Sequence, residues 1–198
     1  MLRILGHASS INVRKVLWAC EEIGIAYTRT DGGPELARNP NGLVPVIVDG
    51  DFVLWESNSI IRYLANKWAA HALLPVEPQA RAEVDRWIDW QATEFNGAWR
   101  YAFSAIVRRN PAFTDPGEIA DSKKQWTRMV AILDEQLVRT GGHVAGPSFT
   151  LADIPIGLSV NRWFVTPLEH PPFPAVEAYY ERLSRRPAFL KHGRNGIE

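Results

Sequence analysis

Ser9-Ser10-Ile11-Asn12-Val13-Arg14 puts two hydroxyls, a carboxamide and a guanidinium within six residues. The segment follows a short apolar run, Leu2 to Leu5, and precedes a stretch in which Val13, Val16, Leu17 and Cys20 recur at helical spacing. It therefore falls where a strand hands over to a helix. In an open sheet that junction gathers ligands, and the helix N-terminus attracts anions. Serine and asparagine are also the commonest helix caps, so the residue types alone fit either role.

Two further segments carry similar double readings. In Val44-Pro45 the proline fits a plain strand start. It equally fits a cis proline that leaves the backbone of Val44 open to pair with an extended peptide. In Glu56-Ser57-Asn58, Ser57 reads as a helix cap, while hydroxyl and amide groups there could grip a carboxylate. Glu56 is placed either to favour the helix N-terminus or to meet a ligand ammonium. His7 fits a general base or a structural loop residue. Cys20 lies on the apolar helical face and reads as core, since there is no C-x-x-C pair.

The elements that must position these groups follow from periodicity. Leu2 to Leu5 and Ala26 to Thr30 predict two strands joined through a helix that Gly24 stops, hence parallel. An irregular Gly-, Pro- and Asn-rich segment follows. Val44 to Val48, Asp49-Gly50 and Phe52 to Leu54 predict a hairpin, and Ser57 to Lys67 a helix. The order βαβ, irregular, ββα is a thioredoxin-like layout. Beyond a linker with Pro75 and Pro78 the pattern is helical, at about 79–109, 118–139, 151–164 and 175–185. The expected fold class is an α/β thioredoxin-like domain, 1–72, followed by an all-α helical domain, 79–198.

Composition narrows the function classes. Lys plus Arg and Asp plus Glu number 22 each, so no bulk field draws in nucleic acid or an anionic membrane. A single cysteine excludes an internal disulfide and a Cys-rich zinc site, and no metal is expected. No apolar run suits a signal peptide or a membrane span, which predicts a cytoplasmic protein. Eight tryptophans predict large apolar contacts in a core, an interface or a ligand pocket. No G-x-S-x-G segment supports a serine hydrolase.

Taken in order, Ser10-x-x-x-Arg14-x-Val16, Asn39-Pro40-x-Gly42-x-Val44-Pro45 and Glu56-Ser57-x-x-Ile60 resemble the glutathione-binding segments of cytosolic glutathione transferases. Thr150-Leu151-Ala152-Asp153 resembles the family's buried capping box in the helical half. The likeness is to the bacterial serine-type members (theta-, nu- or beta-like). It implies glutathione as cosubstrate, a small apolar electrophile as partner, detoxification-type conjugation and a homodimer. It also implies that Val44, before a cis Pro45, pairs with the cysteinyl part of glutathione, and that Glu56 and Ser57 hold its γ-glutamyl end. The sulfur falls to Ser10 with Asn12 assisting, and Ser9 stands as the alternative because one class uses the first of a serine pair. No tyrosine is available in this loop for the Tyr-type alternative.

One departure stands out. Many members carry Lys, Gln or His just before Val-Pro to bind the glycine carboxylate; here the residue is Leu43. Asn41, Arg14 or water is left to meet that group. Trp99, Arg100, Tyr101 and Phe103 fall where the family lines its electrophile site, and each fits core or interface packing equally. Besides conjugation, the same site suits glutathione-dependent disulfide or peroxide reduction, dehalogenation or isomerisation. A non-catalytic binding module on the same scaffold is the third reading.

Overall fold

The computed structural model describes residues 1–196. They form two compact units: Met1–Arg81 together with the segment from Ser184, and Ala82–Leu183. In the first, β1 (Leu2–Leu5), α1 (Ile11–Ile23), β2 (Tyr27–Thr30), a 3-10 turn (Pro34–Arg38), β3 (Val46–Asp49), β4 (Phe52–Trp55) and α2 (Ser57–Lys67) follow in order. The sheet order is β2-β1-β3-β4, with β2 parallel to β1 and β3 and β4 each antiparallel to its neighbour. The predicted βαβ, ββα arrangement is thus present. The hairpin turns at Gly50-Asp51, where Gly50 takes φ 63°, a conformation that glycine adopts without a Cβ penalty.

α1 is buried continuously from Val13 to Cys20. Apolar spacing alone predicts one buried face. The other faces are covered because α2 packs on one side and α8 (Pro187–His192) on another. α8 has no counterpart among the predicted helices, and its segment was expected in the helical domain. Its six residues are too few for a periodic signal. It belongs to the first unit, where Phe189 meets Trp18 at 5.0 Å and Arg186 Nε donates to Glu22 at 2.9 Å.

The second unit is helical: α3 (Pro78–Trp90) from Ala82 onward, α4 (Asn96–Ile106), α5 (Pro116–Thr140), α6 (Asp153–Val165) and α7 (Pro174–Leu183). A π turn, Gln91–Phe95, joins α3 to α4 with helical backbone on either side. α6 is buried from Asp153 to Trp163, as expected of a helix enclosed by others. Trp126 lies 5.2 Å from Trp163 and 6.3 Å from Trp99, so these tryptophans are core. Thr150 N–H and Oγ1 donate to Asp153 Oδ2 at 2.7 and 3.2 Å, the Asp153 half of the expected capping box, while the Asp153 N–H bonds the Thr150 carbonyl. Among the described residues no helix is long and apolar enough to cross a membrane.

Candidate active site

The register explains why three distant segments meet. Leu5 pairs with Val46 and Val46 with Trp55, so β1 ends, β3 begins and β4 ends at the same edge of the sheet. The loops carrying Ser9 to Asn12, Asn41 to Pro45 and Glu56 to Ser57 therefore emerge together. Gly6 makes the approach possible. A Cβ there would lie 2.6 Å from Val13 Cγ2 and 2.8 Å from Val44 Cβ, and φ is 143°.

Ser10 is the N-cap of α1, yet its side chain makes no capping hydrogen bond. The free N–H groups of the first turn therefore keep their outward field. Ser9 differs: its Oγ shares a 2.8 Å hydrogen bond with His7 Nδ1, and both are exposed. Asn12 is half-buried, and its Oδ1 accepts from Ser57 Oγ at 3.3 Å. Among the described residues that contact leaves the Asn12 amide N–H groups as the unused donors of the side chain. Ser10 and Asn12 lie two residues apart at the start of α1, and the structure adds Ser57 beside Asn12.

The Val44–Pro45 peptide bond is cis. Among the described residues neither the N–H nor the C=O of Val44 takes a protein hydrogen-bond partner. The loop before it is shaped by Asn39, which is 6% exposed. Its Nδ2 donates to Leu43 C=O at 2.7 Å and its Oδ1 accepts from Asn41 N–H at 3.0 Å. Asn41 and Leu43 are exposed, Leu43 at 65%. Glu56 has φ 72°, a region a non-glycine residue occupies only when its surroundings enforce it. Ser57 opens α2 and is buried.

Two cations lie beside these groups. Arg14 is 2% exposed, and its Nη1 donates to Asn195 Oδ1 at 3.4 Å; burial lowers its pKa to about 10. It therefore ties α1 to the C-terminal segment, which leaves Asn41 as the accessible candidate of the two. Lys15, not singled out in the sequence, is 3% exposed and donates to Ser57 Oγ at 3.1 Å and Asn58 Oδ1 at 2.7 Å. Burial lowers its pKa to about 7; Glu56 opposes that effect and Arg62 adds to it. An Arg-Lys pair on a helix ordinarily marks a solvated face, so the sequence carries no signal for this burial. Cys20 is fully buried and its thiol is pushed up to about 12, consistent with core packing.

In the helical unit, Trp99 and Phe103 face inward, with the Arg162 guanidinium 4.4 and 4.1 Å from their rings. Arg100 is exposed and lines a cleft of about 580 Å³ with Asn96, Ser104, Arg108 and Phe113. Tyr101 borders a different cleft, with Asp121 and Gln125. Trp99 borders the same cleft as Arg100, whereas Tyr101 borders the other and Phe103 neither. Among the described residues no group of three or more His, Cys, Asp or Glu side chains could hold a metal ion.

Comparison with known proteins identifies the family. Residues 9–67 match the model of the glutathione S-transferase N-terminal domain, and residues 97–187 that of the C-terminal domain. The glutathione S-transferase GstB of Escherichia coli K12 is 35% identical over 96% of this chain and 97% of its own. Glutathione S-transferase 3 of Zea mays is 32% identical over 96% of this chain and 92% of its own. Among solved structures, a theta class glutathione S-transferase from Xanthomonas axonopodis pv. citri with glutathione bound superposes with a TM-score of 0.90. The two are 40% identical, and the match covers 100% of this chain and 99% of that one. The chain belongs to the glutathione S-transferase family.

Proposed function

We infer that the chain is a glutathione transferase that activates the thiol of glutathione at the N-terminus of α1. The observation that carries this reading is the Ser10 hydroxyl, set at the α1 N-cap with no hydrogen-bond partner among the described residues while its neighbour Ser9 is engaged by His7. A free thiol has a pKa of about 8.5 and is only about 3% ionised at pH 7. A hydroxyl donor, an amide donor and the helix N-terminus all favour the anion. Lowering the thiol pKa by about two units corresponds to roughly 2.7 kcal/mol and leaves most of the bound thiol ionised.

In this mechanism the thiol proton passes to solvent. The thiolate then attacks the electrophilic carbon, a C–S bond forms, and the leaving group departs with the bonding pair. Ser10 donates a hydrogen bond to sulfur, with Asn12 as second donor; neither is a nucleophile. Val44 offers its N–H and C=O to the cysteinyl backbone of the tripeptide. Glu56 meets the γ-glutamyl ammonium, and the Ser57 backbone N–H, at the first turn of α2, its carboxylate. Asn41 and water meet the glycine carboxylate where Leu43 offers no donor. The acceptor is a small electrophile, and the working form a homodimer in the cytoplasm.

Titration calorimetry with glutathione, followed by conjugation assays against aryl halide, disulfide, peroxide and maleyl substrates, tests the reading. Glutathione binding together with aryl halide turnover is expected. No binding of glutathione contradicts it, and disulfide or peroxide turnover alone reassigns the same site to reduction. Sedimentation at micromolar concentration is expected to give a dimer; a monomer only contradicts that part.

A further inference from the structure

Lys15 reaches from α1 to the start of α2 and sits behind the sulfur site. Lys15 Nζ has two oxygen neighbours and N–H groups for both, whether ammonium or amine, and by donating to them it sets the direction of what they touch. Ser57 Oγ accepts from Lys15 at 3.1 Å. The single Ser57 proton is then directed to its other neighbour, Asn12 Oδ1, at 3.3 Å. With its oxygen held in this way, the Asn12 carboxamide has only one orientation, and its N–H groups face away from Ser57. Without Lys15, the Ser57 oxygen regains a lone pair, and Asn12 is able to turn and donate to Ser57.

We propose that Lys15 is a positioning residue for thiol activation: through Ser57 it holds the Asn12 carboxamide with its N–H donors turned to the glutathione sulfur. The inference rests on the sulfur lying at the α1 N-terminus. Asn58 Oδ1, at 2.7 Å, is the second anchor that keeps the ammonium in place. The charged groups that face Lys15 are Glu56, before α2, and Arg62, on α2. Lys15 touches neither the tripeptide nor the electrophile in this scheme, so its effect is carried by Asn12.

The test measures the pKa of the bound glutathione thiol, from the ultraviolet thiolate band, in wild type, Lys15→Met, Asn12→Ala and the double variant. Lys15→Met and Asn12→Ala are each expected to leave about tenfold less thiolate at a pH below the bound thiol pKa, a rise of about one unit. The double variant is expected to match Asn12→Ala, since the two changes remove one donor. Lys15→Gln, which keeps a weaker donor to Ser57, gives a smaller rise and serves if the methionine variant does not fold. An unchanged thiol pKa in a folded Lys15 variant overturns the proposal, as does a further rise when Lys15→Met is added to Asn12→Ala. If wild type binds no glutathione, the functional reading itself fails, an outcome distinct from either of these.

Discussion

At the scale of single residues, the difference between Ser9 and Ser10 is one of engagement. Both are hydroxyls within a turn of the α1 N-terminus, but Ser9 already has a hydrogen-bond partner in His7. Replacing Ser9 with alanine is expected to leave kcat within about threefold; in the proposed mechanism Ser10→Ala removes a hydrogen bond to a charged sulfur worth roughly 1.5–3 kcal/mol, and a loss of tenfold or more is expected. Steady-state kinetics at saturating glutathione checks both. Lys15 gives a second residue-scale prediction. Its pKa in the folded protein is about 7, below the ordinary 10.5, so the unfolded chain binds more protons between those values. Stability therefore rises with pH across that window, by up to about 2–3 kcal/mol from pH 7 to 9. Urea unfolding of wild type is expected to show that slope, and Lys15→Met to lack it. Sequence spacing distinguishes Ser10 by its distance to Arg14, but partner choices such as Ser9 with His7 arise only in three dimensions. The burial of Arg14 and Lys15 was not legible for the same reason: it depends on α2 and α8 closing over α1.

At the scale of elements, the site exists because three strand ends share one edge of a four-stranded sheet. Gly6 is the joint. Alanine there meets Val13 and Val44 below 3.0 Å and holds an unfavourable φ, so Gly6→Ala is expected to destabilise the protein by about 2–4 kcal/mol. Because the clash drives the α1 and Val44 loops apart, glutathione affinity should fall as well; calorimetry and urea unfolding measure the two effects. Strands and helices with a clear period, such as α2 and the hairpin, were legible in the sequence. The π turn at Gln91–Phe95 was not, since its five residues leave the helical pattern on both sides intact. Gln91 Nε2 bonds Ser159 Oγ and Asn96 Oδ1 there, a local arrangement that propensity does not encode.

At the scale of the whole molecule, each unit rests on its own buried framework. In the helical unit, Asp153 accepts from Val144 N–H and Tyr179 Oη as well as from Thr150. Burial raises its pKa, and the hydrogen bonds it accepts oppose that effect. Asp153→Ala strands these donors inside the core and is expected to cost about 3–5 kcal/mol, read as a lowered unfolding midpoint, without altering the thiol pKa of bound glutathione in the protein that remains folded. The capping signature made the Thr150–Asp153 part of that framework readable from sequence, because its four residues are contiguous, whereas Val144 and Tyr179 join it only in the fold. The clefts of the helical unit were less legible: the direction in which Trp99, Arg100, Tyr101 and Phe103 point follows from helix phase and packing together. The measurement that bears most directly on the central claim is the pH titration of the thiolate band of bound glutathione in wild type and Ser10→Ala. A bound thiol pKa near 6.5 in wild type, raised by at least about one unit in Ser10→Ala, is the predicted result. A wild-type value equal to that of free glutathione, or a Ser10→Ala value equal to wild type, contradicts it.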